Sequence, residues 1–83
     1  MASMNAVKTL LGTVLQLGDR AQALNPESPL LGSIPELDSM AVVNLIAAIE
    51  DHFGFTIDDD EISAESFATL KSLTDFVDRK LAS

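Results

Sequence analysis

The chain has 83 residues, of which 13 are Asp or Glu and 5 are Lys or Arg, giving a formal charge of −8 alongside 47% hydrophobic residues. A length of this order supports one domain with one thin core, burying about 60–65% of the chain's surface. That leaves little room for a deep, water-excluding active site, so an enzyme acting alone is a poor reading. The acidity works against nucleic-acid and membrane-surface roles and favours basic protein partners, while the hydrophobic fraction separates the chain from acidic disordered tails.

No Cys is present. Disulfides, thiolate metal ligation and a cysteine nucleophile are therefore excluded, and any thiol chemistry needs an imported thiol. The longest strongly apolar stretch, Met40 to Ile49, is interrupted by Asn44 and falls far short of the roughly 20 residues that span a bilayer. No membrane insertion is expected. Near the amino end only Lys8 is positive, and Gly12, Thr13 and Gln16 interrupt the apolar run, so a secretory signal fits badly and the cytoplasm is the expected location.

In chain order, Val7, Leu10, Leu11, Val14 and Leu15 fall on one helical face and predict a helix from about Asn5 to Leu17, with Gly18 at its end. Residues 19–38 contain Pro26, Pro29, Pro35, Gly32, Asn25 and Ser28, a composition that predicts a long loop without regular structure. Leu24, Leu30, Leu31, Ile34 and Leu37 predict that this loop is ordered and packs on the core. A second helix is expected from Ser39 to His52 or Phe53, with Asp38 as N-cap and Gly54 as terminator. Its stripe is Val42, Val43, Ile46, Ile49 and Phe53, widened by Leu45 and Ala47, which suggests surface intended for a partner. Phe55 and Ile57 dock the exit, and a short helical turn is expected near Ala64 to Phe67. A last helix runs from Thr69, or alternatively Ser72, to Leu81, carrying Leu70, Leu73, Phe76, Val77 and Leu81. No repeat or alternating strand pattern is present. The expected fold is all-α, three longer helices and one short one.

Helix, long Pro-containing loop, then Glu36-Leu37-Asp38-Ser39-Met40 opening a helix that closes on Glu50-Asp51-His52-Phe53-Gly54-Phe55 resembles the acyl carrier proteins. Their motif is Asp-Ser-Leu, and Met40 is a volume-conserving replacement for the Leu. The resemblance covers residues 5 to 82 and implies a four-helix carrier bundle, a single carrier domain over residues 1–83, monomeric and not an enzyme. It also implies 4′-phosphopantetheine, taken from coenzyme A by a phosphopantetheinyl transferase and attached to Ser39, with Asp38 helping to place the divalent ion during transfer. The arm's thiol would then hold acyl groups as thioesters. Implied partners are acyl-activating ligases and acyltransferases or synthases with basic surfaces, reading Met40, Ala41, Asn44, Ala47, Glu50 and Asp51.

Independent physical reasoning points to the same serine. A phosphodiester at the first residue of a helix is stabilised by unpaired N–H groups and the positive end of the helix dipole. On the residues alone, Ser39 reads equally well as a residue that simply starts a helix. Ala41 and Asn44 stand where fatty-acid-synthesis carriers are acidic, which speaks against service to fatty-acid synthase, and the stretch Asp38 to Leu73 looks more like specialised bacterial carriers found beside exopolysaccharide and exosortase-type genes. Aminoacyl or peptidyl carriers share the pattern. The rival class is an unmodified acidic helical module that only binds a partner.

Other signals lead nowhere chemical. An EF-hand loop starting at Asp58 would place Ile62 and Ser63 at ligand position 5 and glycine position 6, so the run from Asp58 to Glu61 reads as a solvated acidic face and no metal site is expected. His52 is the only histidine and lies 13 positions from Ser39 on the same helix, roughly 20 Å away, which prevents a catalytic triad. It is expected as a partly exposed helix-end residue. Phe53, Phe55, Phe67 and Phe76 are assigned to the core.

Overall fold

A computed structural model of the chain describes residues 2–32, 34–58 and 60–82. Among the described residues the architecture is all-helical: α1 (Ala2–Val14), α2 (Ser39–Phe53) and α3 (Leu70–Ala82), with 3-10 turns at Gly18–Ala21 and Ala64–Phe67. Helix α1 packs on both α2 and α3. Its contribution to the core is Val7 and Leu11, a row that Leu15 continues just past the helix end at i, i+4, i+8, with Leu10 and Val14 half-buried beside it. From α3 come Leu70, Leu73, Phe76 and Val77, while Leu81, expected on the same stripe, is exposed near the helix end.

The first helix departs from the expected bounds at both ends, starting at Ala2 rather than about Asn5 and stopping at Val14 rather than Leu17. Gln16 takes the left-handed conformation with φ 56°, and the Leu17 N–H reaches back to the Gly12 carbonyl at 3.0 Å. This six-to-one bond is a Schellman closure built on Gln rather than Gly. Gly18 is also left-handed, at φ 59°, but it opens a 3-10 turn that the loop composition did not announce. The turn presses Ala21 against Gly12, close enough that a Cβ on Gly12 would lie 2.9 Å from the Ala21 Cβ. A side chain at position 12 would therefore force the turn to shift.

The rest of the long loop is ordered, as its leucines suggested. Leu30 and Leu37 are buried, and Leu24 and Ile34 are half-buried, whereas Leu31 is exposed. An isolated antiparallel bridge joins Pro29 to Thr69. Around it the N–H groups of Leu30 and Leu31 donate to the carbonyls of Ala68 and Phe67, and those of Leu70 and Lys71 donate to Ser28 and Pro26. These bonds satisfy backbone groups that Pro-rich sequence cannot pair internally. They also fix the loop to the start of α3, which begins at Leu70 rather than at Ser72. The Thr69 and Ser72 side chains cap one another's backbone N–H groups reciprocally, at 3.1 and 3.0 Å, so Ser72 is the inner member of a capping box.

Candidate functional site

Helix α2 is delimited at both ends by side-chain and backbone chemistry anticipated from sequence. Asp38 is extended, and its carboxylate accepts the Ala41 N–H at 2.8 Å. Gly54, at φ 76°, closes the other end with its N–H on the Glu50 carbonyl. In this frame Ser39 is the first helical residue and is exposed. The N–H groups of Ser39 and Met40 precede any carbonyl one turn back, so helix geometry leaves them facing outwards with the positive end of the dipole.

The helix divides its apolar residues three ways. Leu45 and Ile49 enter the core completely, each contributing about 2 kcal/mol of burial. Val42 and Ile46, one turn apart, are half-buried. Val43, expected on the core stripe, is 60% exposed, Met40 is 68% exposed, and Ala47 is exposed with them. An i, i+3, i+7 spacing puts these three on one outward strip.

Val42 and Ile46 help to line a cleft of about 570 Å³ whose lining also includes Asp38 and Ser39. Leu31 and Leu37 from the long loop, Ile62 just before the second 3-10 turn, and Ala64 and Phe67 from that turn supply the remaining apolar lining. Its volume lies within the range of small-molecule sites. The loop runs directly into α2 at Leu37 and Asp38, and the bonds from the Leu30 and Leu31 N–H groups to the Ala68 and Phe67 carbonyls hold it against the end of the second turn. An exposed hydroxyl at a helix start, beside donors suited to an anion and an apolar cleft, suits a group with a phosphate at one end and an apolar cargo at the other.

Phosphopantetheine attachment sites, as a family, match residues 5–77 of this chain. It is 35% identical over 65 residues to the acyl carrier protein of Nitratidesulfovibrio vulgaris, a match spanning 78% of this chain and 82% of that one. The chain belongs to the acyl carrier protein family. A holo acyl carrier protein from Nitrosomonas europaea, solved by solution NMR, is 57% identical and superposes over the whole of both chains with a TM-score of 0.94. The carrier protein in a crystal structure of Bradyrhizobium japonicum glycine:[carrier protein] ligase complexed with glycylated carrier protein is 28% identical, with a TM-score of 0.73 over 92% of this chain and 99% of that one. The prosthetic group of this family is 4′-phosphopantetheine, and a family member carries substrates for other enzymes rather than catalysing.

Of the residues expected to face partners, Met40, Asn44, Ala47 and Asp51 are exposed, whereas Ala41 and Glu50 are half-buried. The Glu50 carboxylate turns back to accept the Ile57 N–H at 2.7 Å, so part of its capacity is spent holding the exit from α2. Phe67 and Phe76 are core residues, but Phe53 and Phe55 are only half-buried and stack on each other with ring centroids 5.9 Å apart. His52 is exposed and meets Phe53 edge-on.

Asp59, within the acidic run, lies outside the described residues. Glu61 of that run accepts the Asp58 N–H and pairs with the Lys80 ammonium at 2.8 Å. Lys80's hydrogen bond, followed by that of the Asp58 N–H, holds the Glu61 carboxyl below its ordinary value. Glu61 thus ties this loop to α3. No group of three metal-ligating side chains stands together among the described residues, and no helix in that range is long and apolar enough to cross a membrane. Sequence reasoning missed the cleft and the exposure of Val43. Neither follows from periodicity, because an all-round apolar helix does not specify which face turns inwards.

Proposed function

We propose that Ser39 is the attachment residue and that the chain carries acyl thioesters as a monomeric single domain, residues 1–83, in the cytoplasm. The observation that carries this reading is the exposed Ser39 at the first position of α2, lining the apolar cleft. The Ser39 Oγ attacks the β-phosphate of coenzyme A, a new P–O bond forms, and the adenosine 3′,5′-bisphosphate half departs. The proton passes to a base on the transferase. Asp38 has two compatible tasks, capping α2 and helping to place the transferase's divalent ion. When bound, the arm supplies the terminal thiol that holds acyl groups as thioesters. The cleft residues Val42, Ile46 and Phe67 offer apolar contact to the cargo. On this reading the turn Ala64–Phe67 counts as the short helix of a four-helix carrier bundle.

The partner side of the proposal is a specialised pathway rather than general fatty acid synthesis. It is supported by Ala41 and Asn44, uncharged where a basic synthase surface seeks acids. The glycylated carrier among the similar structures gives an aminoacyl cargo as the second reading. Intact mass after incubation with coenzyme A and a broad-specificity phosphopantetheinyl transferase tests the core of the proposal. A gain of one phosphopantetheine that vanishes in Ser39→Ala is expected, and an unchanged mass with several transferases contradicts it.

A further inference from the structure

The stretch from Ile62 to Phe67, which lines the cleft, is held unequally at its two ends. At the far end the carbonyls of Ser66, Phe67 and Ala68 accept bonds from the Ser72 hydroxyl and from the Leu31 and Leu30 N–H groups. At the near end the tie is between side chains. The Lys80 ammonium donates to both carboxylate oxygens of Glu61, at 2.8 and 2.9 Å, one residue before Ile62.

Lys80 is placed to hold that end. Its side chain is only 20% exposed, and its Nζ lies 5.8 Å from the centroid of the Phe55 ring, within cation–π range. The other lysine pair of α3 is different in kind, since Lys71 and Asp75 are one turn apart on the same helix and brace nothing outside it. Between the two ends, Ser63 and Ser66 cap each other's backbone across the second turn. A segment stiffened within itself, fixed at one end by several bonds to its backbone and at the other by one ion pair, yields first at the ion pair.

We infer that the Glu61–Lys80 pair sets how far the cleft opens, and so the length of acyl chain that it shelters. With the pair made, Ile62 stays close against the cleft and a medium chain fills it; with the pair broken, Ile62 moves outwards and a longer chain enters. Glu61 and Lys80 are positioning residues that act through Ile62. This rests on Ser39 being the attachment residue. Each methylene taken out of water stabilises the loaded protein, as does any ligand held by the folded state alone, so the rise in Tm with chain length reads the capacity of the cleft.

The test loads the chain with butyryl, octanoyl or palmitoyl groups by transfer from the acyl-coenzyme A, and measures the rise in Tm of each over the unacylated holo form of the same variant. In wild type the rise is expected to be largest for octanoyl, with palmitoyl no higher. In Lys80→Met and in Glu61→Gln the palmitoyl rise is expected to exceed the octanoyl rise by about 4 °C or more. The double variant matches either single one, because both remove the same pair. Lys80→Arg, which keeps the charge, and Lys71→Met, which breaks the exposed pair within α3, keep the wild-type order. Variants that melt lower but keep the wild-type order overturn the inference, leaving the pair as support for the fold alone. A palmitoyl rise already above the octanoyl rise in wild type, or no rise with any chain, also overturns it; in all three cases Ser39 stands as the attachment residue. Failure of the wild-type chain to be modified at all removes both.

Discussion

Gly12→Ala places a methyl group where α1 and the first 3-10 turn meet. In an exposed helix interior this change stabilises by about 1 kcal/mol, because Ala loses less backbone entropy than Gly. Here the new Cβ falls 2.9 Å from the Ala21 Cβ, against 3.4–4 Å for ordinary contact. Ala21 is buried and its Cβ is fixed to the backbone, so the turn itself must move by about half an ångström, an overpacking that costs about 2 kcal/mol. The net expectation is a loss of about 1 kcal/mol, or a fall of about 4–8 °C in Tm for a domain of this size. Thermal and urea melts by circular dichroism read it. Two controls isolate the contact: Thr13→Ala, on the exposed face of the same helix, stabilises by a few tenths of a kcal/mol, and Gly12→Ala introduced into Ala21→Gly stabilises by about 1 kcal/mol. A rise in Tm for Gly12→Ala alone refutes the packing argument.

Asp38→Ala removes the carboxylate that holds the Ala41 N–H and is expected to lower stability by about 1 kcal/mol in a urea melt, with Asp38→Asn close to wild type. Thr74 is fully buried in α3, and its hydroxyl finds no hydrogen-bond partner among the described residues; Thr74→Val, of the same shape, is expected to raise stability by about 1 kcal/mol in the same melt. The Glu61 carboxyl titrates below its ordinary value near 4.5, chiefly through the Lys80 hydrogen bond. Its folded-state pKa being depressed, the stabilisation is present above about pH 4.5 and is lost as the pH falls through the folded value. The Tm difference between wild type and Glu61→Gln is therefore expected at pH 7 and diminishes as the pH falls below about 4.5.

Helix α2 was legible to within a residue because its ends rest on residues with one dominant local use, an Asp that caps and a Gly that turns left-handed. The capping box that opens α3 was visible as Thr69 and Ser72, although its two members read as rival starts. The end of α1 was not legible, since nothing in composition marks Gln16 for positive φ when Gly18 stands two residues on. The bridge between Pro29 and Thr69 joins segments 40 positions apart, beyond any local pattern. The same reason hid the cleft, whose walls meet only after the long loop folds across to the second turn. Ser39 could be singled out because a helix start is a local property, and its exposure follows from that position. The apolar surface around it could not be divided in advance, because Val43 and Leu45 are equally hydrophobic and only the packing of α1 decides which one turns inwards.

The most direct test of Ser39 as the carrier residue is fragmentation mass spectrometry of the chain after transfer from coenzyme A. The account predicts that the added mass resides on the peptide bond-delimited residue 39 and nowhere else. Localisation on Ser28, Ser63, Ser66 or Ser72, with residue 39 unmodified, contradicts it.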